Sequence, residues 1–234
     1  MDDSTLENFN PEFIANLALE TFMKLSGDLQ ELLLQSKNEQ SFSGLLSLQL
    51  QMKMLSQGSF TLLELKGVNY QKLDASTKSL RSTRNFHDIA IVNSEARFQV
   101  IIENKVWYHF DGAKGKTKKK IEKGVVEQIS GDINKIRITL ASNKSLERGF
   151  ILIHLVTPND PKSIPKSYLD SHRSAIARTA SDLNLYRNDG LDGVKNAVKT
   201  FERQLLSVAH TGTTTMVGSG KSAFLDVICA EVKI

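Results

Sequence analysis

Apolar residues recur at helical spacing through the first quarter of the chain. They follow this spacing over residues 5–35, where Asn10 and Pro11 are typical of a helix start and SGD at 26–28 predicts a break between two helices. A further apolar pattern predicts a helix that begins between residues 36 and 39 and ends at 54. The apolar surface of that helix is broad, so we expect it to lie against a sheet.

Two runs rich in β-branched residues follow and predict a β-hairpin. They are FHDIAIV at 86–92 and FQVIIENKVW at 98–107, and the polar residues 93–97 between them have the length of a hairpin loop. Residues 60–65, FTLLEL, fit either a strand or the end of the preceding helix. The polar residues 66–85 predict a loop that leads into the hairpin.

The remainder of the chain alternates between helix and strand patterns. Amphipathic spacing predicts a helix at 118–135, and GFILIHLV at 149–156 predicts a buried strand. Residues 168–185 are predicted to be partly helical, 192–208 helical, and 223–234 a terminal strand. Helices followed by consecutive strands and then by alternating helices and strands indicate an α/β fold with a mixed central sheet.

The predicted hairpin brings charged residues together within apolar strands. Glu103 and Lys105 are two residues apart in one strand and therefore share a face. If the hairpin is centred between residues 95 and 96, paired residue numbers sum to 191, and Asp88 lies opposite Glu103. His87 should then point to the other face.

Facing carboxylates destabilise a sheet unless something compensates their charge. A divalent cation would do so, because Mg²⁺ prefers hard oxygen ligands. We expect one oxygen each from Asp88 and Glu103 and a third from the backbone carbonyl of Asn104. Lys105 would orient or help to deprotonate an attacking water and offset charge on a phosphate. The alternative is a surface sheet face on which Asp, Glu and Lys form ordinary cross-strand ion pairs.

Composition and charge exclude several classes of protein. The chain has 234 residues, a net charge of +4, a pI near 9.0 and one cysteine, Cys229, which excludes an intramolecular disulfide framework and fits a reducing compartment. No apolar stretch approaches the length of a bilayer span, and the acidic start MDDSTLENF is unlike a signal peptide. We therefore expect a cytoplasmic protein with no membrane partner.

A lysine-rich segment after the hairpin predicts contacts with nucleic-acid phosphates. Runs of this kind are often merely solvated, but this one closely follows Lys105, where phosphate-binding cations are expected beside a phosphate-cleaving centre. The candidate nucleic-acid-binding residues are Lys114, Lys116, Lys118, Lys119, Lys120, Arg81 and Arg84.

The pattern HDIAI followed by VIIENKV, with Asp88, Glu103 and Lys105, resembles the PD-(D/E)XK or restriction-endonuclease-like nuclease superfamily. Glu39 lies in the preceding helix, where many members place another acidic residue, and Gln128 lies in the following helix, where several subfamilies place a glutamine. The IIENK motif is similar to that of a bacterial, defence-related subfamily. The chain departs from the family pattern at His87, where the superfamily name has proline, and at Asp132, where some subfamilies have tyrosine.

The resemblance covers about residues 36–160 and implies a restriction-endonuclease-like core within a single domain, 1–234. Residues 1–35 would be extra N-terminal helices and 161–234 C-terminal helices with the terminal strand. In this family context, Glu39 would hold a second metal or a metal-bound water, and Gln128 would fix Lys105 or a phosphate oxygen.

The implied function is Mg²⁺-dependent hydrolysis of DNA phosphodiesters, with Mn²⁺ as a substitute, in bacterial restriction, phage defence or mobile-element metabolism. One alternative is a delivered nuclease toxin that acts on DNA or tRNA and is paired with an immunity protein. Another is a non-catalytic nucleic-acid-binding module on the same fold. Cleavage of both DNA strands with one active site per chain would favour a homodimer.

Overall fold

A computed structural model describes residues 9–36, 39–54, 60–73, 80–92, 98–112, 118–157, 183–217 and 221–233. It is an α/β structure built on a six-stranded mixed sheet with helices on both faces. The sheet and its flanking helices confirm the α/β class expected from the order of the sequence patterns.

In the described part of the chain, three helices precede the sheet, as the apolar spacing predicts. They are α1 (Pro11–Met23), α2 (Gly27–Ser36) and α3 (Glu39–Met54). Asn10 caps α1, since its side-chain oxygen accepts a hydrogen bond from the N–H of Phe13 at 2.8 Å, and Pro11 occupies the first turn.

Strands β1 (Phe60–Leu73), β2 (Leu80–Val92) and β3 (Phe98–Tyr108) form an antiparallel meander. The loop predicted at 66–85 is wrong, because β1 and β2 extend into it and pair as far as Leu73 and Leu80. Backbone hydrogen bonds between the two strands sustain this polar extension, which has little hydrophobic pattern of its own. Residues 74–79 and the predicted hairpin turn at 93–97 lie outside the described residues.

The described residues after β3 supply two covering helices and three more strands. A short helix α4 (His109–Gly112) precedes α5 (Lys118–Ser142), and then come β4 (Arg148–Thr157), α6 (Leu183–Lys199), a 3₁₀ turn (Glu202–Gln204), β5 (Leu205–Val217) and β6 (Lys221–Val232). The predicted helix at 192–208 is partly wrong, because residues from 205 onward form β5. Most of the stretch predicted as partly helical, 168–185, lies in the undescribed range 158–182.

The strands are ordered β1-β2-β3-β4-β6-β5, and β3 and β4 are the parallel pair. Helices α1, α2 and α3 cover one face of the sheet, and α5 and α6 cover the other. The side chains of β3 alternate between these cores: Ile102 and Val106 lie on the first side, and Ile101 and Trp107 on the second. Among the described residues, no helix combines the length and apolar character needed to cross a bilayer.

Candidate functional site

The register of the β2–β3 hairpin places Asp88 at the point where the two strands stop pairing. Three observed pairs, Ile89 with Ile102 and its two neighbours, have residue numbers that sum to 191, which confirms the predicted register there. Beyond Ile89 the pairing ends, and the carboxylate of Asp88 accepts a hydrogen bond from the backbone N–H of Asn104 at 2.7 Å. The side chain of Asp88 thus satisfies a β3 donor at the end of the ladder.

Lys105 lies among carboxylates from different elements. Its ammonium group is 3.5 Å from Oδ2 of Asp132 on α5 and 3.9 Å from Oε2 of Glu39 on α3, and it donates to the carbonyl oxygen of Asn104 at 3.1 Å. The Lys105 side chain is only 17% exposed. One face of β3 and two helices therefore converge on a half-buried cation.

The start of α3 is attached directly to β3, which explains how Glu39 reaches the site. The amide of Asn104 donates to the hydroxyl of Ser43 at 2.9 Å and to the backbone carbonyl of Glu39 at 3.3 Å. Oε1 of Glu39 lies 3.5 Å from the backbone nitrogen of Val106, at the outer limit of a hydrogen bond. The Glu39 carboxylate thus stays at the open side of the site, with its side chain 42% exposed.

Glu103 is buried and held on both oxygens. Oε1 contacts Nδ1 of His87, and Oε2 accepts from the ammonium of Lys135 at 2.6 Å. The expectation that His87 points away from the carboxylates is wrong. Where β2 leaves β3 beyond Ile89, strict alternation across the pair no longer decides which side chains meet.

The contacts around His87 hold its ring on both sides. Nε2 of His87 lies 3.0 Å from the hydroxyl of Thr139, which is also 2.9 Å from the carbonyl oxygen of Lys135, and Nδ1 of His87 contacts Oε1 of Glu103. The ring of His87 is thereby held at both nitrogens and helps to fix the orientation of Glu103.

Gln128 and Asp132 lie one helical turn apart on α5 and have different partners. Oε1 of Gln128 accepts from the indole N–H of Trp107 at 3.2 Å, whereas Asp132 pairs with Lys105. Lys105 therefore pairs with Asp132 and not with Gln128, and the alternative that Gln128 binds a phosphate oxygen stays a prediction. The i, i+4 spacing could have identified Asp132 as a site residue, because both positions share a helix face.

Burial and mutual repulsion shift the ionisation of the site carboxylates. Burial raises the pKa of Asp88 and the nearby Glu103 raises it further, against the lowering effects of the Asn104 N–H, Lys105 and Lys135. Burial likewise raises the pKa of Asp132 from 3.8 to about 6, although Lys105 opposes the shift.

The same surroundings favour the charged form of Lys105, whose pKa is also raised. Burial alone would lower its pKa, but the carboxylates of Asp132, Glu39, Asp88 and Glu103 together raise it. Lys105 therefore stays ionised, beside two carboxyl groups, Asp88 and Asp132, whose pKa values are raised.

The candidate phosphate-binding residues fall largely where side chains are not described. Lys114 and Lys116 lie outside the described residues. The backbone of α5 contains Lys118, Lys119 and Lys120, and that of β2 contains Arg81 and Arg84, but their side chains lie outside the described part.

The oxygen donors at the site suit a hard divalent cation. Among the described residues, no group of three or more His, Cys, Asp or Glu side chains is placed to hold a metal ion. The donors nearest to such a set are the carboxylates of Asp88 and Glu103 and the carbonyl of Asn104, and the last two already face the ammonium groups of Lys135 and Lys105. Carboxylate and carbonyl oxygens are the donors that Mg²⁺ prefers, and both oxygens of Glu103 already have partners, His87 and Lys135.

Comparison with protein-family models, with curated proteins and with solved structures found no match for this chain.

Proposed function

We propose that the protein is a Mg²⁺-dependent nuclease with a restriction-endonuclease-like core that hydrolyses phosphodiester bonds in DNA. The observation that carries the proposal is the convergence of Asp88, Glu103 and Lys105 at the end of the β2–β3 ladder. Half-buried charges with shifted pKa values, gathered at the junction of several elements, are typical of catalytic sites. The mixed sheet flanked by helices is also the architecture that the resemblance implies.

The chain's own residues have separate tasks in this proposal. Asp88, Glu103 and the Asn104 carbonyl would hold the cation. Lys105 would donate a hydrogen bond to the attacking water or to a phosphate oxygen, and its ammonium would offset charge on the scissile phosphate.

Two further carboxylates control where that ammonium group lies. Asp132 and Glu39 flank the ammonium group of Lys105 and hold it just beyond the paired part of β2 and β3. Glu39 is the more exposed of the two and remains the candidate for a second cation or an ordered water.

The chemistry supplied by a bound Mg²⁺ would be polarisation of the phosphodiester and a lowered pKa of the attacking water. His87 acts through Glu103, because its hydrogen bonds to Glu103 and Thr139 hold the carboxylate in one orientation. His87 is thus a positioning residue.

The basic character of the chain supports a nucleic-acid substrate. The net charge is +4, and the lysine-rich sequence at the start of α5 follows the strand that carries Lys105. A delivered toxin that cuts tRNA would use the same centre. A binding module would have no need for the half-buried Asp88 carboxylate to lie near the buried Glu103.

The test is a cleavage assay that separates these functions. Purified protein is incubated with supercoiled plasmid DNA and, separately, with tRNA, each with Mg²⁺ or EDTA, beside a Lys105→Ala variant. We expect Mg²⁺-dependent cleavage of the plasmid by the wild type and loss of cleavage in the variant. The exposed-lysine variant Lys53→Ala on α3 is the matched control and should cleave normally.

Cleavage of tRNA alone would support the toxin function instead. Binding of DNA without cleavage by the wild type would indicate the non-catalytic module. Undiminished cleavage by Lys105→Ala would contradict the assignment of the site.

A further inference from the structure

A second feature, separate from the β3 site, is a cavity between the C-terminal half of α6 and the outer strands of the sheet. Its volume is about 340 Å³. Val198, Leu205 and Ile228 form a buried apolar floor, and Val208 on the edge strand β5 forms a wall that is 51% exposed. A preformed apolar cavity of this volume is at the small end of the range for ligand sites.

Two lysines lie on the rim of this apolar cavity. Lys195 and Lys199 are one turn apart on α6 and so share a helix face. Neither forms an ion pair with another residue in the described part of the chain. Glu202 is the only acidic residue in the lining, so the rim is positive overall.

A favourable interaction with the helix dipole explains the position of Lys199 but not that of Lys195. Lys199 lies in the last turn of α6, where the helix dipole favours a cation, but Lys195 lies a full turn earlier. Two neighbouring ammonium groups repel each other, and an anion in the cavity would relieve that repulsion.

His210 also lines the cavity and is held by a hydrogen bond to Asp226. Its Nε2 is 2.9 Å from Oδ1 of Asp226, a fully buried residue. Burial would raise the pKa of Asp226, but hydrogen bonds from His109, His210 and Arg187 hold it well below its usual range, so Asp226 is an anion. Nε2 of His210 is therefore the donor, and Nδ1 is left for another partner.

We propose that this cavity binds a small organic anion with an apolar body of one or two rings. The apolar floor would bury the rings, and Lys195 and Lys199 would pair with a carboxylate, sulfonate or phosphate group at the rim. The cavity is independent of the proposed nuclease site, because Glu103, Lys105 and Asp132 do not line it.

Two fluorescent probes of similar apolar body separate the charge from the hydrophobic contribution. 1-Anilinonaphthalene-8-sulfonate carries the anionic group, and N-phenyl-1-naphthylamine lacks it. Titration of the folded protein should show saturable one-to-one binding of the sulfonate. Lys195→Gln/Lys199→Gln should weaken the sulfonate about tenfold, which is about 1.4 kcal/mol, and leave the neutral probe unchanged.

Two further variants complete the test. Lys24→Gln/Lys53→Gln makes the same charge change directly after α1 and on α3, across the sheet from the cavity, and should leave both affinities unchanged. Val208→Glu places a carboxylate in the half-exposed wall and should abolish sulfonate binding. Equal weakening in both lysine pairs, unchanged affinity in Lys195→Gln/Lys199→Gln, or absence of saturable binding to the wild type would each overturn the proposal.

Discussion

At the scale of single residues, identical side chains acquire opposite ionisation behaviour from their neighbours. Asp132 and Asp226 are both largely buried, yet the pKa of the first rises to about 6 and that of the second falls well below its usual range. Burial by itself would raise both pKa values. Asp226, however, receives hydrogen bonds from two histidines and an arginine, whereas Asp132 has one ion pair at 3.5 Å and lies near Glu103. Asp132 can therefore change its protonation state near neutral pH, whereas Asp226 stays an anion that holds its neighbours in place.

We predict that Asp132→Asn stabilises the protein at neutral pH. The folded-state pKa of about 6 lies above the unfolded value of 3.8, so the folded chain keeps a proton that the unfolded chain has released in this interval. The free energy of unfolding therefore falls as the pH rises from the unfolded pKa of 3.8 through the folded pKa of about 6. Thermal melts should show a gain on the order of 2 kcal/mol at pH 7.5 and none near pH 3.5. An equal gain at both pH values, or the same gain in the exposed control Asp192→Asn, would contradict this origin.

Sequence reasoning identifies the central residues of the site but not their supports. Asp88, Glu103 and Lys105 follow from strand alternation and hairpin register, which are local rules. Lys135 and Thr139 reach the site only because α5 packs across β3 with a particular rotation. Nothing in the spacing of the chain near Lys105 specifies that rotation, so the partners of Glu103 could not be predicted.

At the scale of secondary-structure elements, Asp226 joins parts of the chain that are distant in sequence. From β6 it binds His109 of α4, Arg187 of α6 and His210 of β5 at 2.6–2.9 Å. Thr157 at the end of β4 extends the network through His109 at 2.8 Å. The network therefore fixes α4 and α6 to one end of the sheet.

Asp226→Asn should destabilise the protein strongly. Asparagine keeps one acceptor oxygen, but it removes the negative charge and places an NH2 donor against the N–H donors of Arg187, His109 and His210. Loss of one partner of a buried ion pair typically costs about 3–5 kcal/mol. The depressed pKa means that the carboxylate contributes stability above about pH 4, and the wild type should lose this contribution as pH falls further. Urea unfolding at pH 7 measures the first effect, and melts from pH 7 to pH 3 measure the second. A loss below about 1 kcal/mol, no larger than for Asp192→Asn, would show that the network does not hold these elements together.

Two helical glycines should respond in opposite directions to alanine. A Cβ at Gly190 of α6 would lie 2.0 Å from the backbone oxygen of His109, so Gly190→Ala must push α6 away from α4 and should cost about 2 kcal/mol or more. Gly131 of α5 has open space around its Cα, and Gly131→Ala should gain about 0.5–1 kcal/mol from helix propensity. Urea unfolding measures both, and a neutral Gly190→Ala would show that the close approach of α4 and α6 is not required.

The sequence predicts element boundaries correctly where the hydrophobic spacing is regular. The predictions are wrong where pairing with another strand determines the secondary structure. Helices α1 to α3 and strands β3 and β4 follow from their patterns. The spacing of Leu205 and Val208 imitates a helix, but both residues lie in β5 because β6 supplies hydrogen-bonding partners along its whole length. Propensity is local and strand pairing is not.

At the scale of the whole molecule, one sheet face carries two separate polar centres under a common helical layer. Glu103 contacts α5, and Asp226 contacts α6, on the same side of the sheet. The opposite face is packed with apolar side chains from α1, α2 and α3. The sequence predicts the α/β class and the position of the first centre, whereas the second depends on contacts between residues up to 117 positions apart.

The rate of plasmid cleavage by Asp88→Asn tests the central claim most directly. Asparagine retains an oxygen that can accept from the Asn104 N–H but removes the charge that the proposed cation requires. Because burial and Glu103 raise the pKa of Asp88, its loss of charge should not lower the melting temperature at pH 7.5. The exposed control Asp28→Asn on α2 should leave cleavage unchanged. We predict that Asp88→Asn, at an undiminished melting temperature, cleaves at least about a hundredfold more slowly, equivalent to about 2.7 kcal/mol of activation free energy. Cleavage by Asp88→Asn at the wild-type rate would contradict the account.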